Sequence, residues 1–226
     1  MIIRANVWRP LCEDVGRREF EANLFAYHRA HDHNFSFLTV GHFGPGYMTD
    51  IYTYDRQGFE GYVGERVRLK LVERTMLTAG KVMLYEAGKD IHTQYPPAAV
   101  SVSLNLIALS DANRVSDQYF FDTDRMTLSG YADTQVTKRV SLVAMAGYVF
   151  NDDTLDVLIH LGRQHPCPRT RLQALNSLAQ AYPGEFERWR SLAMNDSMQL
   201  VRSFGSNAPS VTNAQEAFDP AFMQLV

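Results

Sequence analysis

The hydrophobic residues of this 226-residue chain change their spacing at about Gly130. Before that point they come in short runs rich in aromatic and β-branched side chains, and after it they fall on stripes three and four residues apart. A chain patterned in this way has to build both sheet and helix layers. The first part carries runs at 35–40 and 47–54, and further short strands are expected at 67–76, 81–86, 99–109 and 118–122. Gly58, Gly61, Gly64, Gly80, Gly88, Pro96 and Pro97 separate them. Many short strands with glycine-rich corners point to a barrel or a sandwich. Gly44-Pro45-Gly46 reads as the tip of a hairpin between the first two runs. Ahead of them, Phe20, Leu24 and Tyr27 recur at helical spacing, which predicts one helix from Cys12 to about Arg29.

After Gly130 four amphipathic helices are expected. Val136, Val140, Val143, Ala144 and Gly147 share one stripe, and Leu155, Leu158, Ile159 and Gly162 the next. Leu172, Leu175, Leu178, Ala179 and Tyr182 form a third; Phe186, Trp189, Leu192 and Ala193 form a fourth. The division expected is therefore a β domain over 1–128 with its N-terminal helix, a helical domain over 129–204, and a polar tail over 205–226. Phe218, Phe222, Met223 and Leu225 in that tail could dock on a neighbouring surface.

The formal charge of -3 gives no field suited to a polyanion or an acidic membrane, so no nucleic-acid partner is expected. No stretch reaches the roughly 18 apolar residues of a membrane span, and Met1-Ile2-Ile3-Arg4 opens no secretory signal, so a cytoplasmic location is expected. Cys12 and Cys167 belong to no CxxC motif, which fits a reducing compartment. No G-x-S-x-G elbow, phosphate loop or dinucleotide fingerprint is present.

Four of the seven histidines, His28, His31, His33 and His42, lie within fifteen residues. Alternate residues of a strand point the same way, so His31 and His33 can reach one ion. Neutral imidazole suits Zn, Fe, Ni, Cu and Mn. His28, at a helix end, reads as a cap or a solvated side chain, and His42, His160 and His165 as structural. With the hairpin in register, Thr39 lies near Asp50, Phe37 near Tyr52 and His33 near Arg56. His31, His33, Phe35, Phe37, Asp50, Tyr52 and Tyr54 then share a face, and a slip of one residue reverses one strand.

His31-Asp32-His33 resembles the first motif of the cupin superfamily, although Phe37 and Leu38 stand where that motif has its glutamate. The segment Gly80-Lys81-Val82-Met83-Leu84-Tyr85-Glu86-Ala87-Gly88-Lys89-Asp90-Ile91-His92 resembles the second motif, with Glu86 in place of the usual proline and the histidine one residue late. The resemblance spans roughly residues 30 to 110. It implies a mainly β, double-stranded β-helix barrel and a metal held by His31, His33 and His92. The carboxylate place is vacant in sequence; Asp50 could fill it from the facing strand, and a three-histidine site with open positions is equally acceptable. A homodimer is implied by the same resemblance. Further on, Arg171-Leu172-Gln173-Ala174-Leu175 resembles the Arg-x-x-Ala-Leu helix of HEAT-type repeats, and a generic all-α bundle fits the same residues.

A metal held by imidazoles keeps coordination positions open for substrate or dioxygen. The function expected is a metal-dependent cupin enzyme, an iron-dependent oxygenase of a small organic molecule, with Fe(II) preferred and Zn, Ni or Mn as other divalent choices. Phe37 and Tyr52, with Phe35 and Tyr85, would wall the substrate cavity, and Gln94, Asn105 and Glu86 would offer it polar groups. The alternatives are a non-enzymatic ligand-sensing module that contacts a protein partner through its C-terminal helices, or a metal-dependent isomerase or hydrolase.

Overall fold

The structure, a computed structural model, describes residues 1–205 apart from 57 and 133. The expected tail beyond residue 205, with Phe218, Phe222, Met223 and Leu225, lies outside the described residues. The chain is a mixed α/β protein with two antiparallel sheets. Its strands are β1 (Ile2–Trp8), β2 (Ala30–Asp32), β3 (Ser36–Phe43), β4 (Met48–Thr53), β5 (Lys70–Met76), β6 (Val82–Tyr85), β7 (Asp90–Gln94), β8 (Ser101–Ala108), β9 (Tyr119–Asp122) and β10 (Thr127–Tyr131). Helix α1 (Val15–Leu24) sits between β1 and β2. After β10 come α2 (Gln135–Ala146), α3 (Asp152–Gln164), α4 (Pro168–Ala181), α5 (Phe186–Met194) and the short α6 (Gln199–Arg202). The boundary expected after residue 128 falls inside β10.

One sheet has the order β1-β8-β3-β6 and the other β10-β9-β2-β7-β4-β5. Among the first eight strands, β1 pairs with β8, β2 with β7, β3 with β6 and β4 with β5, all antiparallel. That is the pairing of one long, double-stranded ribbon wound so that successive pairs fall in alternate sheets. Between the sheets, Phe37, Tyr47, Leu77, Met83, Tyr85 and Ile107 form a buried cluster. A second cluster, with Ala30, Tyr54, Val67, Ile91, Tyr119, Phe121 and Leu128, covers the other face of the six-stranded sheet.

The expected hairpin over 35–54 is not formed. β3 belongs to the four-stranded sheet and β4 to the six-stranded one, so the two do not pair. Gly44 and Gly46 both have positive φ, 81° and 83°. A Cβ on Gly46 would lie 2.1 Å from the Leu77 carbonyl oxygen, and its N–H donates to Ser101 Oγ at 3.0 Å. The corner is thus pressed against the 77–78 and 100–101 segments, and it carries the chain from one sheet to the other instead of folding it back.

β1 and β8 invert the usual facing. Arg4, Asn6, Ser101, Ser103 and Asn105 turn inward, while Ile3, Val7 and Leu106 turn to solvent with Leu38, Val82 and Leu84 of the neighbouring strands. The four-stranded sheet therefore has an apolar outer surface and an inner wall that is polar around β1 and the facing part of β8, beside the buried Phe37, Met83, Tyr85 and Ile107.

The helices follow the expected stripes: Val143, Leu158, Leu172, Leu175, Leu178, Trp189 and Ala193 share a core, which Leu200, Val201 and Phe204 complete. Arg171 of α4 pairs with Asp196 through two hydrogen bonds of 2.6 and 2.9 Å. No helix among the described residues is long and apolar enough to cross a membrane.

Candidate metal centre

The chain leaves α1 through a bend in which Ala26 and His28 are left-handed, with φ of 50° and 60°. Donation from the His28 N–H to the Gln94 carbonyl at 2.9 Å docks the bend on β7. This delivers the three residues of β2 between β7 and β9, with His31 opposite His92. Alternation then turns Asp32 to the far face, where it accepts from the Tyr54 hydroxyl and the Tyr119 N–H, each at 2.7 Å. Burial outweighs these bonds and pushes its carboxyl up to about 6.

His33 follows β2 and points the same way as His31. Its carbonyl accepts from the Gly88 N–H at 2.8 Å, and Ser36 Oγ accepts from the Ala87 N–H at 2.9 Å. The glycine of the β6–β7 corner, with φ of 61°, thus clasps the end of the first motif and brings His92 within reach of it.

Three imidazoles meet there. His92 Nε2 lies 3.0 Å from His31 Nε2 and 3.1 Å from His33 Nε2. The Arg29 carbonyl, 2.9 Å from His31 Nδ1, can only accept, so the proton sits on Nδ1 and Nε2 keeps its lone pair. Gln118 does the same for His33: its amide nitrogen donates to Asn34 at 3.0 Å, which turns Oε1 to His33 Nδ1 at 3.2 Å. His92 Nδ1 is buried without a partner. Burial holds the His31 imidazole down at about 4, and burial together with the neighbouring rings holds those of His33 and His92 well below the usual value. All three are therefore neutral across the physiological range, the state a metal requires of its ligands.

The residues fit a cation. Two lone-pair nitrogens and a third imidazole nitrogen crowd together, and His92 Nε2–H could donate to only one neighbour at a time. A separation near 3 Å is that of two ligands each about 2.1 Å from one ion and close to a right angle apart. Among the described residues, His31, His33 and His92 form the one group whose ligand atoms could share an ion, all within 4.8 Å of one another.

The site opens on a cavity of about 890 Å³ between the sheets. Phe35 and Phe37 flank His33, with ring centroids 4.9 and 5.0 Å away, and Tyr85 stacks on Phe37 at 4.8 Å. Phe120 lies 5.9 Å from His31. The residues expected from sequence divide cleanly. Phe37, Gln94 and Asn105 line the cavity; Gln94 donates to the Phe25 carbonyl, and Asn105 accepts from Thr39 at 2.7 Å.

Asp50 and Tyr52 do not join them. Asp50 is in register with Thr93, one residue out of phase with the Ile51 and His92 pair, so it faces away from the imidazoles. There it holds Arg74, at 2.5 and 2.6 Å, and the Tyr95 hydroxyl, at 2.7 Å. Tyr52 lies beside a separate recess with His28, Tyr95 and Thr123. Both displacements follow from the unformed hairpin, because β4 takes its facing from β7 and not from β3. Glu86 is exposed and pairs with Lys89. His28, His42 and His160 are exposed, and His165 accepts from the Cys167 N–H at 3.0 Å.

Among the residues that line the cavity and went unread in the sequence are Arg4, Asn6, Trp8 and Gln118. The first three alternate with Ile3, Ala5 and Val7, a period-two signal in which the polar set faces inward. Gln118 carries no local signal, since only the fold brings it to His33.

No protein-family model and no curated protein matches this chain. Among solved structures, one that matches is the crystal structure of Drosophila melanogaster CENP-C bound to CAL1, at 15% identity and a TM-score of 0.28. It covers 47% of this chain, and this chain spans about 60% of that one. A likeness that distant carries no inference about fold or role.

Proposed function

We propose that this chain is a metal-dependent enzyme of cupin type, in which His31, His33 and His92 hold a divalent cation, iron(II) by preference, and a small organic molecule is oxidised beside it. The convergence of the three Nε2 atoms carries the reading. The wound pairing of β1 to β8 supports the cupin part of it, because two interleaved Greek keys of eight strands are the pattern of that barrel. Iron(II) in an all-imidazole set supplies dioxygen activation, whereas zinc would supply Lewis-acid chemistry.

The chain's own groups do the rest. Arg29 and Gln118 fix the tautomers and ring planes of His31 and His33. Phe35, Phe37 and Phe120 keep bulk water from the imidazoles and offer an apolar wall to a substrate.

The test is elemental analysis of protein purified without chelator, followed by oxygen-electrode measurements. About one metal per chain, lost in His33→Ala and His92→Ala, is the expected result. Full occupancy in either variant, or no stoichiometric metal in the wild type, overturns the site. Iron that supports no oxygen uptake with any of a set of small metabolites favours the sensing alternative, which draws its support from the buried Arg169–Asp117 contact between the helices and the segment holding His33.

A further inference from the structure

The inner wall of the four-stranded sheet carries donors that have nothing to bond. Arg4 Nε and Asn6 Nδ2 are both buried without a hydrogen-bond partner, and both residues line the cavity. Two residues apart on one strand, they share a face. Burial pushes the Arg4 pKa down, and only the Tyr47 phenol acts to raise it, so no carboxylate compensates the guanidinium.

The cavity's charges point the same way. Of the charged residues that line it, Arg4 is half-buried on the inner wall, whereas Arg114, Lys138 and the single acid, Asp111, are exposed. The first turn of α2 also lines it, through Thr134 and Gln135. Unmatched donors, an uncompensated cation and no buried acid together describe a seat for a group that only accepts hydrogen bonds and carries negative charge.

We propose that the cavity takes a small organic anion whose carboxylate is anchored by Arg4 and Asn6, leaving its remaining part toward the three imidazoles. This deepens the reading of the cavity as a substrate site beside a metal, and rests on it. Phe35, Phe37 and Trp8 along the path suit an apolar or aromatic body on that anion.

The probe is 3-phenylpropionate, compared with its uncharged amide, 3-phenylpropanamide, by calorimetric titration of the full chain. A charge-assisted bond replaced by a neutral one predicts a preference for the acid of roughly tenfold or more. Arg4→Gln should abolish that preference, Arg4→Lys should retain part of it, and Asn6→Ala, which leaves the cation in place, should reduce it. Equal affinity for acid and amide in the wild type, no measurable binding of the acid, or an unchanged preference in Arg4→Gln overturns the anchor. Each titration is run on metal-loaded and metal-stripped protein. Wild type that binds no metal yet prefers the acid keeps the anchor and sinks the metal reading. Stoichiometric metal without preference does the reverse.

Discussion

Arg169 of α4 donates to Asp117 at 2.5 Å inside the protein, one residue before the Gln118 that holds His33. Arg169 also stacks on Tyr131, its guanidinium carbon 3.7 Å from the ring centre. Burial outweighs the neighbouring guanidinium and pushes the Asp117 carboxyl up, so the pair is held by geometry in a costly environment. Removing one partner leaves an uncompensated charge. Arg169→Ala is expected to cost roughly 3–5 kcal/mol in urea unfolding, and the double variant Asp117→Ala/Arg169→Ala less than the single. Because Gln118 is the next residue, metal affinity in chelator competition should fall about tenfold in Arg169→Ala. A stability loss with unchanged metal affinity would separate the helices from the site.

The buried histidines set a pH dependence on the metal-free protein. In the unfolded chain His31 takes a proton near pH 6.5 and in the folded one only near 4, so across that window the unfolded state binds more protons. Stability should therefore fall as pH drops from 6.5 to 4, by up to about 3 kcal/mol from His31 alone. Asp32, pushed up to about 6, works in the opposite sense there: its folded form holds the proton longer. Comparing wild type with His31→Leu cancels the Asp32 contribution. The variant's urea midpoint should decline less steeply between those pH values; parallel profiles would refute the assignment.

Asp50 offers a discriminating substitution. Its carboxylate is committed to Arg74 and Tyr95 on the face away from the imidazoles. Asp50→Asn should leave metal stoichiometry and chelator resistance as in wild type. A metal affinity lowered tenfold or more would mean that the carboxylate reaches the ion after all.

Parts of this arrangement were legible in the sequence for physical reasons. The helical stripes held because each helix buries one face against its neighbours, so Val143, Leu158 and Leu175 appear in the core as their spacing required. His31 and His33 share a face because alternation is a local property of extended backbone. Facing across strands was not local. Phe35 to Tyr54 carried every mark of a hairpin, yet Gly44 and Gly46 turn between sheets, and the partners of Asp50 and Tyr52 changed with that turn. Arg4 was overlooked because no strand was read ahead of the helix expected from Cys12, whereas Ile2–Trp8 pairs with β8 and turns Arg4 inward.

What the sequence determined by itself is the set of local periods: short strands, then helices, and a dense group of imidazoles at alternate positions. Tertiary structure decided which strands meet. His92, some sixty residues from His31, comes opposite it because β2 pairs with β7 in the winding of the sheets. Gln118 and Arg4 reach the same cavity by the same winding. Backbone geometry repeats over two to four residues and so can be read from neighbours in the chain. Strand pairing is a choice among distant partners, settled by the packing of the whole molecule.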